Sequence, residues 1–246
     1  MPHPQYRLRA ATRRIAAILL LSAAAAAFSQ ALSIAPVNIN LEPNRRSATL
    51  SLTNRSESDM SIQVRVFSWN QLNNVDQLTE TNTVIVSPPL ATLAPGSNQV
   101  IRLLLRHPAI GREETYRILV DQIPSAGKVG TVQMVLRLSI PVFAEPSNKT
   151  TPHLQLHLES DGEKHFLVCV NDGTRHDALR EMELTASGGR KLKTDPSASP
   201  YILAGVTRRW PIVADGEPLA ASEALRLKAK TDSGPIDQEI LHAPAR

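Results

Sequence analysis

Residues 130–146 read GTVQMVLRLSIPVFAEP, and Val132, Met134, Leu136, Leu138, Ile140 and Val142 occupy every second position. Apolar side chains at period two line one face of a β-strand. The intervening positions are mixed, with Thr131, Gln133 and Arg137 beside Val135 and Phe143. This is neither a clean half-buried strand nor a two-sided parallel core strand. The apolar row is longer than the core of one domain needs. Pro146 ends it, and residues 147–152 are polar and proline-flanked, as a linker is. A long apolar strand therefore closes one domain, and a second follows.

The chain opens with Arg7, Arg9, Arg13 and Arg14, then an apolar run over residues 15–27, then Phe28-Ser29-Gln30-Ala31 with small residues at 29 and 31. That order reads as a secretory signal peptide over residues 1–31. The run is shorter than the roughly 18 to 20 residues of a spanning helix, so no membrane span is expected once the leader is removed. The formal charge of +4 comes from 27 basic and 23 acidic residues, and loss of the four leader arginines leaves 23 of each. A neutral chain without basic runs is not expected to bind nucleic acid. Cys169 is the only cysteine, so no intramolecular disulfide can form and stability must come from apolar cores.

Short strands separated by turn signals fill both halves, which predicts an all-β protein built of sandwiches. Residues 32–41 (LSIAPVNINL) form a first strand at an edge, a bulge or a switch between sheets, because Pro36 cannot donate to a central ladder. Residues 47–53 (SATLSLT) and 61–69 (SIQVRVFSW) pair as a hairpin, with Trp69 in the core. Residues 71–82 are a polar surface loop. Strands over 83–87, 98–106, 114–123 and the long strand bring the first half to seven. In the second half the periodicity predicts strands over 153–158, 165–170, 179–185, 201–206, 225–229 and 237–241. His153 and His157 would lie about 13 Å apart on a strand, too far to share a metal. Asp172, His176 and Asp177 share a turn with no nucleophile signal, and GxSxG, HExxH and phosphate-loop patterns are absent from the sequence. No enzyme activity, cofactor or metal is expected.

Three segments in order, PGSNQVIRLLLR (95–106), ETYRILVDQIP (114–124) and VQMVLRLSIPVFAEP (132–146), resemble the last three strands of the first domain of periplasmic pilus-assembly chaperones. These are the PapD-like partners of outer-membrane ushers. The Asn171-Asp172-Gly173 turn and SPYILAGV (199–206) extend the resemblance into the second half. It implies two immunoglobulin-like domains in a boomerang arrangement, residues 32–146 and 147–246, around a cleft that receives a pilin subunit. It also implies a periplasmic location. The chaperone donates the last strand of its first domain to a subunit that lacks one. Val132, Met134 and Leu136 match the donor residues, with Leu138 extending the set. Three such side chains contribute about 5 to 9 kcal/mol before ordering costs.

The best-known members anchor the subunit's terminal carboxylate with an arginine and a lysine, and the matching positions here are Pro36 and Pro141. The pattern instead resembles the archaic, spore-coat-protein-U-associated branch, with Tyr116-Arg117 opening the sixth strand. That makes Arg117 the first candidate anchor, since a guanidinium forms two parallel hydrogen bonds to a carboxylate. Arg137 is the second, and the competing reading for each is an arginine paired with a local acid such as Asp121 or Glu145. Glu145-Pro146 replaces the usual Arg-Pro, so the family's interdomain salt bridge is expected to be rearranged or missing. The competing reading is a secreted structural or adhesive pilin-like subunit, which would typically have one domain preceded by a donor arm.

Overall fold

The computed structural model describes residues 32–124, 130, 134–162, 164–194, 199–213, 219 and 223–242. The leader and Val132 lie outside them. The first sandwich contains β1 (Leu32–Ala35), β2 (Ile39–Leu41), β3 (Ser47–Asn54), β4 (Met60–Leu72), β5 (Val75–Glu80), β6 (Val84–Ser87), β7 (Leu90–Leu93), β8 (Asn98–Leu105), β9 (Glu114–Ile123) and β10 (Arg137–Ala144). One sheet runs β1-β3-β8-β6; the other runs β2-β10-β9-β4-β5, with β7 also paired to β4. Alternation turns Leu50, Leu52, Ile101 and Leu103 of the first sheet against Ile62, Val64, Ile118, Val120 and Ile140 of the second, in one buried core.

Four expectations for this half need correction. β3 and β4 are not a hairpin pair, because β3 lies between β1 and β8 while β4 pairs β9 in the opposite sheet. Buried Asn54 makes that crossing. Its amide donates to Ser58 O at 2.8 Å and Leu93 O at 2.9 Å, and its Oδ1 accepts from Ser56 N at 2.9 Å. Residues 71–82 are not a loop, since the end of β4 and β5 form a hairpin from Phe67↔Glu80 to Leu72↔Val75. Its turn is Asn73-Asn74, with φ of 51° and 66°, a left-handed pair that suits asparagine. β5 is mostly exposed and so carries no apolar period. The count of seven also fails. Pro36 divides β1 from β2 and Pro88-Pro89 divides β6 from β7, each pair falling in opposite sheets. Finally, among the described residues the long strand begins only at Arg137, because Pro124 ends β9 and leaves Met134 and Val135 without a partner strand.

The second sandwich contains β11 (Leu154–Asp161), β12 (Lys164–Asn171), β13 (Asp177–Ala178), β14 (Arg180–Thr185), β15 (Lys191–Thr194), β16 (Tyr201–Ile202), β17 (Val206–Val213), β18 (Leu225–Thr231) and β19 (Gly234–Ile240). A single sheet, β11-β12-β17-β15-β14-β18-β19, folds over a core of Leu158, Leu167, Cys169, Trp210 and Leu227. β15 turns the corner by pairing β14 through Leu192 and β17 through Lys193 and Thr194. Its far edges meet where Leu158 N donates to Leu241 O at 2.9 Å. Residues 201–206 are not one strand. Gly205, at φ 75°, turns the chain into β17. That strand escapes a periodicity reading because Arg208, not an apolar residue, occupies the inward position before Trp210. Burial, aided by Asp177, pushes the Cys169 thiol up to about 12, which keeps it protonated and unreactive.

Candidate functional site

β9 covers β10 over its whole length on one side, but β2 covers only Val142, Phe143 and Ala144 on the other. The outer edge from Arg137 to Pro141 therefore has no partner strand among the described residues. An open edge exposes main-chain donors and acceptors ready to pair with another chain. The even-numbered row along it leaves the core in steps. Ile140 is 3% exposed, Leu138 and Leu136 are half-buried against the core, and Met134 is 92% exposed. Leu136 is the last residue held by β9, its carbonyl accepting from Gln122 N at 2.9 Å.

The odd-numbered row faces away from that core. Pro141 lies directly opposite Arg117, and Arg137 opposite Asp121. The Arg117 guanidinium stacks 3.7 Å from the Trp69 ring centre and 5.6 Å from that of Tyr201. Its NH2 lies 3.5 Å from Asp76 Oδ2. Burial pushes its pKa down, and Asp76 opposes that shift. Arg137 Nε instead bonds Asp121, which also accepts from Arg65 NH2 at 2.8 Å. Burial opposes ionisation of Asp121, but the two guanidinia outweigh it and hold the carboxyl below its ordinary range. The two candidate anchors are not brought together, since four residues of β9 separate Arg117 from Asp121, the cross-strand partner of Arg137, about 13 Å.

Several residues at the junction of the sandwiches were not legible as such. Trp69 is buried, as expected of a core aromatic, but its odd register puts it outside the first core. It packs there with Phe143, Leu203, Val206 and Tyr201. Gln71 clamps the second sandwich, donating to Tyr201 O at 3.0 Å and accepting from Leu203 N at 3.2 Å. His176 donates from Nδ1 to both Glu113 oxygens and stacks on Phe143 at 3.5 Å between ring centres. Arg175 NH2 lies 3.1 Å from Glu145 Oε1. The ionic contact between the sandwiches is thus present in rearranged form: the carboxylates of Glu113 and Glu145 come from the first and the Arg175 guanidinium from the second. Parity of Trp69 against Ile62, Val64 and Val66 was the one usable sequence signal.

Among the described residues no group of three or more His, Cys, Asp or Glu is placed to hold a metal, and no helix is long and apolar enough to cross a membrane. Residues 31–150 match the family described as "Pili and flagellar-assembly chaperone, PapD N-terminal domain". The chaperone protein LpfB of Salmonella typhimurium strain LT2 is 24% identical over 185 residues, 74% of this chain and 69% of that protein. Among solved structures, the CsuC–CsuE chaperone–tip adhesion subunit complex of archaic Csu pili from Acinetobacter baumannii aligns at TM-score 0.67 and 24% identity. That match covers 87% of this chain and 99% of the other. The YadV chaperone aligns at TM-score 0.62 and 17% identity, covering 86% and 100%. Residues 31–150 therefore carry a chaperone domain of the PapD type, and the described residues share the two-sandwich fold of pilus-assembly chaperones.

Proposed function

We propose that the protein is a periplasmic chaperone that binds pilin subunits by lending them the open edge of β10, caps them, and delivers them to an outer-membrane usher. The observation that carries this reading is the edge itself, unpaired from Arg137 to Pro141 among the described residues and continued by an apolar row that leaves its own core at Met134. A subunit lacking a strand presents an unpaired edge and an open groove. β10 supplies main-chain pairing to the first, and Val132, Met134, Leu136 and Leu138 supply side chains to the second. Arg117, opposite Pro141, lies next to the place where the better-known relatives carry an anchor, and is the proposed partner of the subunit's terminal carboxylate. Residues 1–31 act as the export leader, 32–146 as the donor-strand domain and 147–246 as the second domain.

The likeness to a chaperone of archaic Csu pili, together with Pro36, Pro141 and Tyr116-Arg117, favours that branch. Two sandwiches joined through residues 145–153 argue against a pilin-like subunit that polymerises. Expressed alone in the periplasm, the protein should stay small and soluble. Expressed with its subunits, it should co-purify with one in equal amount. Self-assembly into filaments would favour the subunit reading.

A further inference from the structure

Arg117 does not face a single acid alone. Asp76 stands between it and a second arginine from the other sandwich, Arg208, with Oδ2 3.5 Å from Arg117 NH2 and Oδ1 3.6 Å from Arg208 NH1. Both gaps exceed the 2.7 to 3.2 Å of a formed N–H···O bond. The Arg208 side chain is 2% exposed, and its Nε and NH1 have no hydrogen-bond partner among the described residues. Only NH2 is bonded, donating to Ser199 O at 3.2 Å. Two buried guanidinia and one carboxylate leave a surplus positive charge in a site mostly shielded from water. A buried charge without a full partner is costly, so this site favours a second anion.

Asp76 is also placed to move. It lies on β5, the edge strand of its sheet, and Gln71 Nε2 steadies its Oδ1 at 3.0 Å. A shift of less than about 1 Å would close its contact with Arg208. Resting on Arg117 as the anchor proposed above, we propose that Asp76 is a resident stand-in for the client's terminal carboxylate. It occupies Arg117 while the cleft is empty and passes to Arg208 when the client's carboxylate arrives. After the exchange each guanidinium holds one carboxylate and no surplus charge remains. The device keeps Arg117 charged and oriented without a client, and it makes Asp76 a competitor that a client must displace.

The chain's two tryptophans report on the site, because Trp69 lies 3.7 Å from the Arg117 guanidinium and Trp210 5.9 Å from that of Arg208. The probe is sodium acetate, titrated against sodium chloride at constant ionic strength and followed by tryptophan fluorescence. Asp76→Asn should bind acetate about tenfold more tightly than the wild type. Because that variant leaves Arg208 unpaired, Asp76→Asn/Arg208→Gln is measured beside it and should gain similarly. Arg117→Ala should lose the response. Equal acetate affinity in the wild type and in both Asp76 variants, with the response still lost in Arg117→Ala, would overturn the exchange and leave the anchor standing. A response that survives in Arg117→Ala would overturn the anchor as well.

Discussion

His176 Nδ1 lies 2.7 Å from Glu113 Oε1 and 2.9 Å from Oε2, so one imidazole from the second sandwich satisfies both oxygens of a fully buried carboxylate from the first. The backbone N of His176 also donates to Oε1 at 3.1 Å, and Glu113 N donates to Thr174 O at 3.0 Å. The pair fixes the two sandwiches against each other at Phe143. His176→Ala leaves the carboxylate buried with one partner fewer, at a cost of about 1 to 3 kcal/mol. Calorimetry should then resolve two unfolding transitions where the wild type gives one coupled transition.

The β4–β5 hairpin is the second tie. Asn74 accepts from Arg209 N at 2.8 Å and donates through Nδ2 to Arg209 O, while holding a φ that few residues adopt. Asn74→Ala should lower stability by about 1 to 2 kcal/mol in urea unfolding. Asn73→Gly, whose φ glycine accepts freely, should stay within about 0.5 kcal/mol of the wild type.

Asp121 carries an acid-sensitive part of the stability. Its folded pKa is depressed by Arg137 and Arg65 against the effect of burial, so its contribution is complete above the ordinary carboxylate value near about 4 and is lost as pH falls through the folded value. Arg137→Ala should raise the Asp121 pKa, read by NMR titration of the carboxyl carbon, and should shrink the loss of Tm between neutral and acid pH.

The donor row separates two roles by exposure. Met134 is 92% exposed, so Met134→Asp should fold with the wild-type Tm and yet fail to retain a subunit, because the client's groove would have to bury a carboxylate. Leu138 packs against the chaperone's own core, so Leu138→Asp should lower both Tm and subunit recovery. Equal subunit recovery by Met134→Asp and the wild type would shift the donor register away from Met134.

Much of this was legible because alternation is a local signal. β3, β4, β8, β9 and the β10 row all follow from apolar residues at period two. The missed elements are those where local pattern and environment part. β5 pairs only at an edge, so nothing selects apolar residues on it, and Asn73-Asn74 was its one usable mark. In β17 a buried arginine sits where an apolar side chain is expected, since its neighbour is a carboxylate from the other sandwich. Arg117 and Arg137 were readable as cations on neighbouring strands, and Asp121 as a local acid for either, but not that Arg137 takes Asp121 while Arg117 faces Asp76. Asp76 and Asp121 become neighbours only through the register of three strands. Glu113 and His176, 63 residues apart, meet only when the two sandwiches dock.

The central claim is that a charge at Arg117 sets where the donor strand stops. Pairing alone leaves register open to a slip of two residues, which keeps the same face inward. The most direct test is co-expression of each variant with its subunits in the periplasm, followed by recovery of the equimolar complex. Arg117→Ala, with a native circular-dichroism spectrum, should recover less than about a tenth of the wild-type complex, Arg117→Lys an intermediate amount, and Arg137→Ala most of it. Wild-type recovery by Arg117→Ala, with loss in Arg137→Ala, would contradict the account and move the anchor to Arg137.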